Sequence, residues 1–236
     1  MLCLYLRTTR ENTDMSKAEA LSKKEIRHAL AVANLMTHKE GKRCALVLSH
    51  AAMRVSEIAL IETGSLLNST GELRKEIHLP AKICKRLKPR TIWLTNPVSR
   101  EIIQDWIEYR LKKKWGTVIG SAQYQGLNPN SRFLYNNRGR PYAMTEKKRV
   151  MYDGSTKSYR ACDSLEHLIR AIYTKAGFHN ASSHTGRKSL ITNAIIDKGI
   201  SLKQAARILG HSNHEQVLSY ITISKKRLSE MYEEAL

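Results

Sequence analysis

The sequence is poor in acidic residues and has no long apolar run. Its 21 aspartates and glutamates face 40 lysines and arginines, which leaves a formal net charge of +19 and a pI near 9.9. Such an excess of positive charge favours a polyanionic partner, either nucleic acid or an anionic membrane surface. No stretch approaches the roughly 18 apolar residues that a membrane span needs. The first six residues are too short, and lack the basic flank, for a secretory signal. We therefore expect nucleic acid, and no membrane, as the partner.

Cysteine is also scarce. Cys3, Cys44, Cys84 and Cys162 lie far apart in the sequence, and none belongs to a Cys-x-x-Cys pair of the kind that binds zinc or supports redox chemistry. The cysteines are therefore interpreted as reduced thiols of a cytoplasmic protein. Neither a metal site nor a cofactor is expected.

Hydrophobic periodicity predicts a mostly helical α+β protein. Ser22 and Glu25 form a capping box at the start of a first helix, and Gly41 is expected to end that helix. The almost wholly apolar residues 45–52 are typical of a helix that is buried on all sides. A 236-residue chain is long enough to bury the core that such a helix implies.

The middle of the chain carries the strand signals. Apolar residues alternate over 76–83, and 90–94 is interpreted as the returning partner of an antiparallel β-hairpin with a basic tip. A helix over 97–115 and a short strand over 132–135 are expected next. Residues 145–160 are polar, basic and without a clear period, which predicts an exposed insertion.

No internal repeat or low-complexity linker interrupts the chain. We expect a flexible tail over residues 1–20, with Met15 as an alternative start of translation, and one domain over 21–236. A last helix is predicted at 225–236, because the apolar residues Leu228, Met231, Tyr232 and Ala235 recur at helical spacing.

Reactive side chains gather towards the end of the sequence. His184 and Arg187 are three residues apart, so a helix starting there would place them on one face. Capping signals predict two further helices after it, at Ser201 with Gln204 and at Ser212 with Glu215. His211 then lies at the corner between those helices, and Tyr220 lies near the end of the last one. The pattern can bring two imidazoles, a guanidinium and a phenol to one place.

A second arginine stands just after the apolar helix. Arg54 lies in Arg-Val-Ser-Glu, where a cation beside so much apolar sequence must find a counter-charge or reach the surface. One interpretation is a surface ion pair between Arg54 and Glu57. The other is a functional arginine that Glu57 orients.

These residues, taken in order, resemble the active site of the tyrosine recombinase (phage integrase) family. The resemblance rests on Arg54, the basic hairpin, His184-x-x-Arg187, Leu-Gly-His211 and Tyr220, which lies nine positions after His211. It extends from about Leu21 to Tyr232. It implies a mostly helical catalytic domain with a small antiparallel sheet. The implied activity is site-specific recombination through a 3′-phosphotyrosine intermediate and a Holliday junction.

The resemblance also implies the role of each residue. Arg54 and Arg187 would hold the two non-bridging oxygens of the scissile phosphate, because planar guanidiniums can bind them in pairs. Tyr220 would attack the phosphorus, with His184 accepting its proton and His211 donating to a phosphate oxygen.

The oxygen that leaves the phosphorus needs an acid, which by the same resemblance is a lysine of the hairpin. The returning strand registers best with Lys85, while Lys82 and Lys88 remain alternatives. Because the phosphotyrosine stores the energy of the bond, neither ATP nor a metal is required.

The implied partners are two double-stranded DNA recombination sites and the other subunits of a homotetramer. An accessory DNA-bending protein is a further candidate, and the last helix would dock on a neighbouring protomer or fold back on its own domain. The expected setting is a bacterial cytoplasm, on the nucleoid, with a phage- or plasmid-associated gene. The cations expected to contact DNA are Arg86, Lys88, Lys112, Lys113, Lys114, Lys147, Lys148 and Arg149.

Three departures from the family pattern are visible. Ala52 stands where a glycine is often found, and Val217 stands where a threonine is often found. Only a short tail precedes the catalytic residues, without the usual helical DNA-binding domain, as in the single-domain fimbrial-switch invertases.

Other functions remain open. A type IB topoisomerase or a hairpin telomere resolvase would share the chemistry. Residues 201–221 also resemble the helix-turn-helix of a transcription factor, in which Tyr220 would be a core aromatic. The sequence leaves open whether a recombinase would integrate, excise, invert or resolve DNA.

Overall fold

The computed structural model describes residues 18–210, 214–221, 229 and 232–233. The α-helices within these residues are α1 (Lys23–Asn34), α2 (Lys39–His50), α3 (Val55–Leu60), α4 (Thr63–Leu66), α5 (Pro97–Lys113), α6 (Asp163–Lys175), α7 (Thr185–Lys198) and α8 (Leu202–Leu209). Short 3-10 helices occupy Ala81–Ile83, Lys85–Leu87, Gln123–Gly126 and His214–Tyr220. No helix in the described part of the chain is long and apolar enough to span a membrane. The predicted class, mostly helical α+β, is confirmed.

Helix α2 forms the centre of the core. Its residues Cys44, Ala45 and Leu48 are completely buried, as the apolar run predicted, and it packs against α1, α5, α6 and α7. Burial on all sides explains why this segment shows no amphipathic period: every face of the helix meets another apolar surface.

The prediction that Gly41 ends the first helix is wrong. Helix α1 ends at Asn34, and Gly41 lies in the first turn of α2. A Cβ at Gly41 would lie 2.3 Å from Nε2 of His38, the residue that precedes α2. The missing side chain therefore makes room for the His38 ring, which lies edge-on to Trp106 with their centroids 5.5 Å apart. Here the glycine serves close packing rather than helix termination.

The predicted hairpin forms, but it is shorter than expected. Strands β1 (Glu76–Leu79) and β2 (Arg90–Trp93) pair antiparallel, with Leu79 opposite Arg90. Pro80 ends β1, and two 3-10 turns replace the expected extension to residue 83. The basic tip is thus an irregular finger, exposed from Lys85 to residue 89.

Two further segments differ from their predictions. Residues 145–160 are exposed as expected, yet they form a β-hairpin of β3 (Thr145–Val150) and β4 (Thr156–Ala161). Both faces of this ladder meet solvent, so no alternation of apolar residues could reveal it. Residues 132–135 make isolated bridges, from Arg132 to Glu62 and from Tyr135 to Pro141, instead of the expected strand.

The C-terminal helices follow their capping signals as far as they are described. Gly199 ends α7 with φ 62°, and the capping box of Ser201 and Gln204 opens α8. Gly210 ends α8 with φ 66°, a left-handed conformation that glycine adopts at little cost. The following helix is a 3-10 helix in its described part, whereas Ser212 of its predicted cap lies outside the described residues. Most of the predicted last helix, 225–236, also lies outside them.

Helices α2 and α7 cross at a very short distance. A Cβ at Gly186 would lie 2.4 Å from Oγ of Ser49 and 2.7 Å from the backbone carbon of the same residue. The segment just before α1 also binds α7: the amide of Leu21 donates to Oγ of Ser189 at 2.8 Å, and Nδ2 of Asn193 donates to the carbonyl of Leu21 at 3.1 Å. Helix α7, which begins just after His184, is therefore fixed from two sides.

We predict that Gly186→Ala destabilises the protein by about 1–3 kcal/mol, the typical cost of overpacking, although alanine favours helices over glycine. The free energy of unfolding in urea measures the effect. Ser49→Ala should not rescue the variant, because the Ser49 backbone remains in contact. A Gly186→Ala protein as stable as wild type would contradict the close crossing.

Candidate active site

Arg54 is the residue immediately before α3, and it donates two hydrogen bonds to Glu57. Its amide donates to Oε2 of Glu57 at 2.7 Å, and its Nη1 donates to Oε1 at 2.9 Å. The pair has the sequence spacing of a surface ion pair, but the Glu57 side chain is completely buried and that of Arg54 is 22% exposed. One edge of the guanidinium is therefore held by protein while part of the side chain reaches solvent.

Glu57 is shared with a second arginine that the sequence analysis did not select. Nη2 of Arg90 donates to Oε2 of Glu57 at 2.5 Å, and its Nε donates to Oε1 at 3.4 Å. Burial opposes ionisation of Glu57, but the charges and hydrogen bonds of Arg90 and Arg54 outweigh it and lower the pKa of the carboxyl. Glu57 is therefore a carboxylate at neutral pH. The signal that was available for Arg90 was a cation placed among the apolar residues of a strand.

Arg187 lies in the first turn of α7 and is 1% exposed. Its Nη1 donates to the carbonyl of Ala52, and its Nη2 donates to the carbonyl of Leu209 at 2.9 Å. Burial and the charges of Arg54 and Arg90 lower the pKa of Arg187 to about 10, so the guanidinium keeps its charge at neutral pH. The structure thus brings Arg187 into the electrostatic field of Arg54, although 132 residues separate them in the sequence.

Tyr220, at the end of its 3-10 helix, lies against Arg187. The guanidinium carbon of Arg187 is 5.8 Å from the centroid of the Tyr220 ring, and the ring is half-buried. Oγ1 of Thr192 donates to the Tyr220 carbonyl at 3.1 Å, which fixes the backbone at this point to α7. The phenol and the arginine predicted to act together are therefore neighbours.

His184 precedes α7 and remains exposed, with its Nδ1 3.3 Å from Oγ of Ser183. Although the residue as a whole is exposed, surrounding protein partly desolvates its ring. This desolvation and the positive charges of Arg187 and Arg54 lower the pKa of His184, despite an opposing contribution from Glu166. A lowered pKa favours the neutral imidazole, which can accept a proton at neutral pH. His211, the other predicted histidine, lies outside the described residues.

The lysines of the hairpin differ in their contacts. Lys82 pairs with Glu62 at 3.1 Å, and Glu62 also binds Arg132 at 3.1 Å. Lys85 and Lys88 are exposed on the finger and make no ion pair within the described residues. Arg86 is exposed beside them in a left-handed conformation with φ 59°.

The other predicted DNA-binding cations lie in two exposed places. Lys112, Lys113 and Lys114 are exposed at the end of α5. The remaining three lie on β3, where Lys147 is paired with Asp163 at 2.7 Å while Lys148 and Arg149 are exposed. No group of three or more potential metal ligands occurs within the described ranges.

The match to a known family covers most of the chain. A model of the phage integrase family matches residues 19–227. No curated protein matches the chain by sequence.

Several solved structures share the fold. The XerA recombinase is 16% identical with a TM-score of 0.62, and the match covers 93% of this chain and 64% of that chain. The XerH site-specific recombinase, in a post-cleavage complex with a palindromic difH substrate, is 16% identical with a TM-score of 0.59 and coverage of 91% and 52%. The Tn1549 transposon integrase, in complex with transposon right end DNA, is 14% identical with a TM-score of 0.54 and coverage of 92% and 66%. The chain thus spans about half to two thirds of the length of these relatives.

At these low sequence identities, the structural matches show only that the fold is shared. The family model covers Arg54, the hairpin, His184, Arg187 and Tyr220 together, and it shows the family. The chain belongs to the phage integrase family.

Proposed function

We propose that the protein is a site-specific DNA recombinase that cleaves and rejoins DNA through a 3′-phosphotyrosine intermediate. The observation that carries the proposal is the convergence of Tyr220 and Arg187, with Arg54 near enough to lower the pKa of Arg187. A half-buried phenol against a guanidinium is compatible with a core contact. A second, partly exposed guanidinium close to Arg187 is better explained by an anion that both arginines bind.

The proposed reaction is a transesterification. The Tyr220 oxygen attacks the scissile phosphorus and forms a new P–O bond, while the bond from phosphorus to the 5′ oxygen breaks. The phenol proton passes to neutral His184, and the 5′ oxygen takes a proton from a lysine of the finger. A free 5′ hydroxyl of another strand then attacks the phosphotyrosine and reverses these steps. The number of phosphodiester bonds is conserved, so no external energy source is needed.

Electrostatic stabilisation is the main contribution that the arginines would make. Negative charge accumulates on the non-bridging oxygens as the phenol attacks, and donors that are already fixed in place need no reorganisation at that moment. Arg187 is fixed by two carbonyls, and Arg54 is fixed by both oxygens of Glu57. The predicted donation from His211 to a phosphate oxygen would add to this, and it stays a prediction.

Lys85 is the proposed general acid. The ion pair of Lys82 with Glu62 draws that lysine towards the loop that carries Arg132. This favours Lys85 and Lys88, for which the described part of the chain offers no ion pair. Lys88 is the remaining alternative.

The proposed substrate is double-stranded DNA carrying two recombination sites, bound by a homotetramer. The XerH structure contains a recombination substrate, which supports DNA as the partner by analogy. The reaction would integrate, excise, invert or resolve DNA, and an accessory DNA-bending protein is a further proposed partner. We place the protein in a bacterial cytoplasm, on nucleoid, phage or plasmid DNA.

The hairpin of β3 and β4 is a proposed second contact with the DNA backbone. Its register places Arg149 opposite Lys157 and Lys147 opposite Tyr159, so these four side chains share one face. Like charges directly across a ladder are unfavourable, and a row of phosphates would relieve their repulsion. Lys148 lies on the opposite face, paired with Ser158, so it cannot contact the same DNA surface as Arg149.

A helix-turn-helix regulator is the alternative from a different class. It would explain α8 and the following 3-10 helix, but it assigns no role to the buried Glu57 or to Arg54. A type IB topoisomerase or telomere resolvase would keep the same chemistry. Incubation with a supercoiled plasmid separates these functions: paired cognate sites are required for recombination, whereas simple relaxation needs no pair.

Tyr220→Phe should abolish covalent attachment to DNA and leave DNA affinity nearly unchanged, because only the nucleophilic oxygen is removed. The test uses a nicked suicide duplex that carries the site selected by the purified protein from random-sequence DNA. Denaturing gels then report the adduct. A protein–DNA adduct that persists in the variant would exclude Tyr220 as the nucleophile.

Lys85→Ala should slow cleavage of ordinary DNA but not of DNA with a 5′-phosphorothiolate at the scissile bond, since a thiolate leaves without a proton. Lys82→Ala and Lys88→Ala are the matched variants. If the sulfur substrate rescued Lys88→Ala instead, the acid would lie further along the finger.

Arg149→Gln combined with Lys157→Gln should lower the slope of log affinity against log salt by about 1.8, or roughly 0.9 for each lost phosphate contact. Lys148→Gln combined with Arg160→Gln removes the same charge from the other face and is the control. Fluorescence anisotropy with a random-sequence duplex at several salt concentrations measures both. Equal changes for the two pairs would show that net charge, and not a particular face, governs binding.

A further inference from the structure

Arg90, the first residue of β2, is a cation that is only 8% exposed and has no role in the reaction described above. Burying a guanidinium is costly unless charged and polar partners compensate for the lost water. The contacts of Arg90 therefore indicate what this residue does. Each contact is with a segment that contains or binds a proposed catalytic residue.

The first partner is Glu57, the carboxylate that binds Arg54. Oε2 of Glu57 accepts from Nη2 of Arg90 at 2.5 Å and from the amide of Arg54 at 2.7 Å. Oε1 accepts from Nη1 of Arg54 at 2.9 Å and from Nε of Arg90 at 3.4 Å. Both oxygens are thus shared between the two arginines. Without Arg90, the carboxylate would lose two of these four hydrogen bonds.

The second partner is the carbonyl of Ala52. It accepts from Nη2 of Arg90 at 2.7 Å, and the same oxygen accepts from Nη1 of Arg187. One backbone oxygen therefore sets the position of two guanidiniums that come from distant parts of the chain. Nη2 of Arg90 thus contacts the Ala52 carbonyl, which binds Arg187, and the Glu57 carboxylate, which binds Arg54.

The third contact is with the end of α8. A Cβ at Gly210 would lie only 2.7 Å from Cδ of Arg90, so the glycine backbone rests directly on the arginine side chain. The preceding carbonyl, that of Leu209, accepts from Arg187. Arg90 and Arg187 thus both contact the backbone at the end of α8.

Charge in this cluster is unbalanced. Arg54, Arg90 and Arg187 surround the single carboxylate of Glu57, and Arg90 and Arg54 make the charged form of Arg187 less favourable. Nη1 of Arg90 is buried and has no hydrogen-bond partner among the described residues. The cluster therefore has a positive electrostatic potential, which a bound phosphate would neutralise.

We propose that Arg90 is a positioning residue for DNA cleavage. It holds the Glu57 carboxylate and the Ala52 carbonyl so that Arg54 and Arg187 face the same phosphate. Arg90 itself does not touch the reacting atoms. The inference rests on the proposed function, since it assigns Arg90 a part in that reaction.

The test compares Arg90→Met, Arg90→Lys and the control Arg100→Met. Arg100 is suited as a control because it donates to the carbonyls of Leu73, Leu94 and Arg74 and binds no residue of the site. Thermal unfolding verifies that each variant folds. Single-turnover cleavage of the nicked suicide duplex gives the rate, and a gel shift gives the affinity.

Arg90→Met should cleave about 10²-fold more slowly at saturating protein, because a displacement of about 1 Å in a catalytic group can have that effect. DNA affinity should change less than threefold. Arg90→Lys should recover part of the rate, because an ammonium can bind Glu57 but lacks the planar fork that also reaches Ala52. Arg100→Met should cleave at nearly the wild-type rate.

A neutral methylphosphonate at the scissile position provides a readout that loss of stability cannot imitate. It removes the negative charge that Arg54 and Arg187 are proposed to hold. If Arg90 acts through them, the deficit of Arg90→Met should shrink to within about threefold on this substrate. The 5′-phosphorothiolate should not rescue it, which separates Arg90 from Lys85.

A double variant tests the route through Glu57. If Arg90 acts by holding that carboxylate, Glu57→Gln with Arg90→Met should cleave no more slowly than the slower single variant. Equal deficits on phosphodiester and methylphosphonate, or a rate for Arg90→Met within threefold of wild type, would overturn the proposal. If the wild-type protein formed no adduct, the proposed function itself would fail, and the role of Arg90 with it.

Discussion

One buried carboxylate, that of Glu57, makes this site possible. Three guanidiniums that approach one another in a poorly hydrated place would repel strongly, because the interior screens their charges less than water does. Glu57 offsets the charge of the two nearest, and backbone carbonyls take up further donors. The cluster keeps an excess of positive charge, which is what a site for a phosphodiester requires before its substrate arrives.

The backbone must bring these groups together from distant parts of the chain. Ala52 lies just after α2, Arg187 lies on α7, and the two helices can meet because Gly186 presents no side chain to Ser49. A larger residue at 186 would separate the helices and would lengthen the bond to the Ala52 carbonyl. The crossing of α2 and α7 therefore determines both the packing of the core and the geometry of the site.

Much of this arrangement could be predicted from residue spacing. Helix caps such as that of Ser22 are local signals, and the order of Arg54, His184 and Tyr220 along the chain is the pattern that predicts them as site residues. Arg90 was overlooked because its partners lie 33 and 38 residues away, and no local pattern records a bond over that separation. Gly41 was misinterpreted for a related reason. A glycine required for packing cannot be distinguished from one that ends a helix until its neighbours are known.

Ala52 has a left-handed backbone, with φ 66°, and it is not a glycine. Such a conformation costs a residue with a side chain about 1–2 kcal/mol. Glycine would remove that cost in the folded protein, but it would also give the unfolded chain more freedom, worth about 0.4–1 kcal/mol. The cost of the conformation is the larger of the two, which leaves a net advantage for glycine of roughly 1 kcal/mol. Ala52 therefore presents the carbonyl that two arginines share from a backbone conformation that glycine would adopt with less strain.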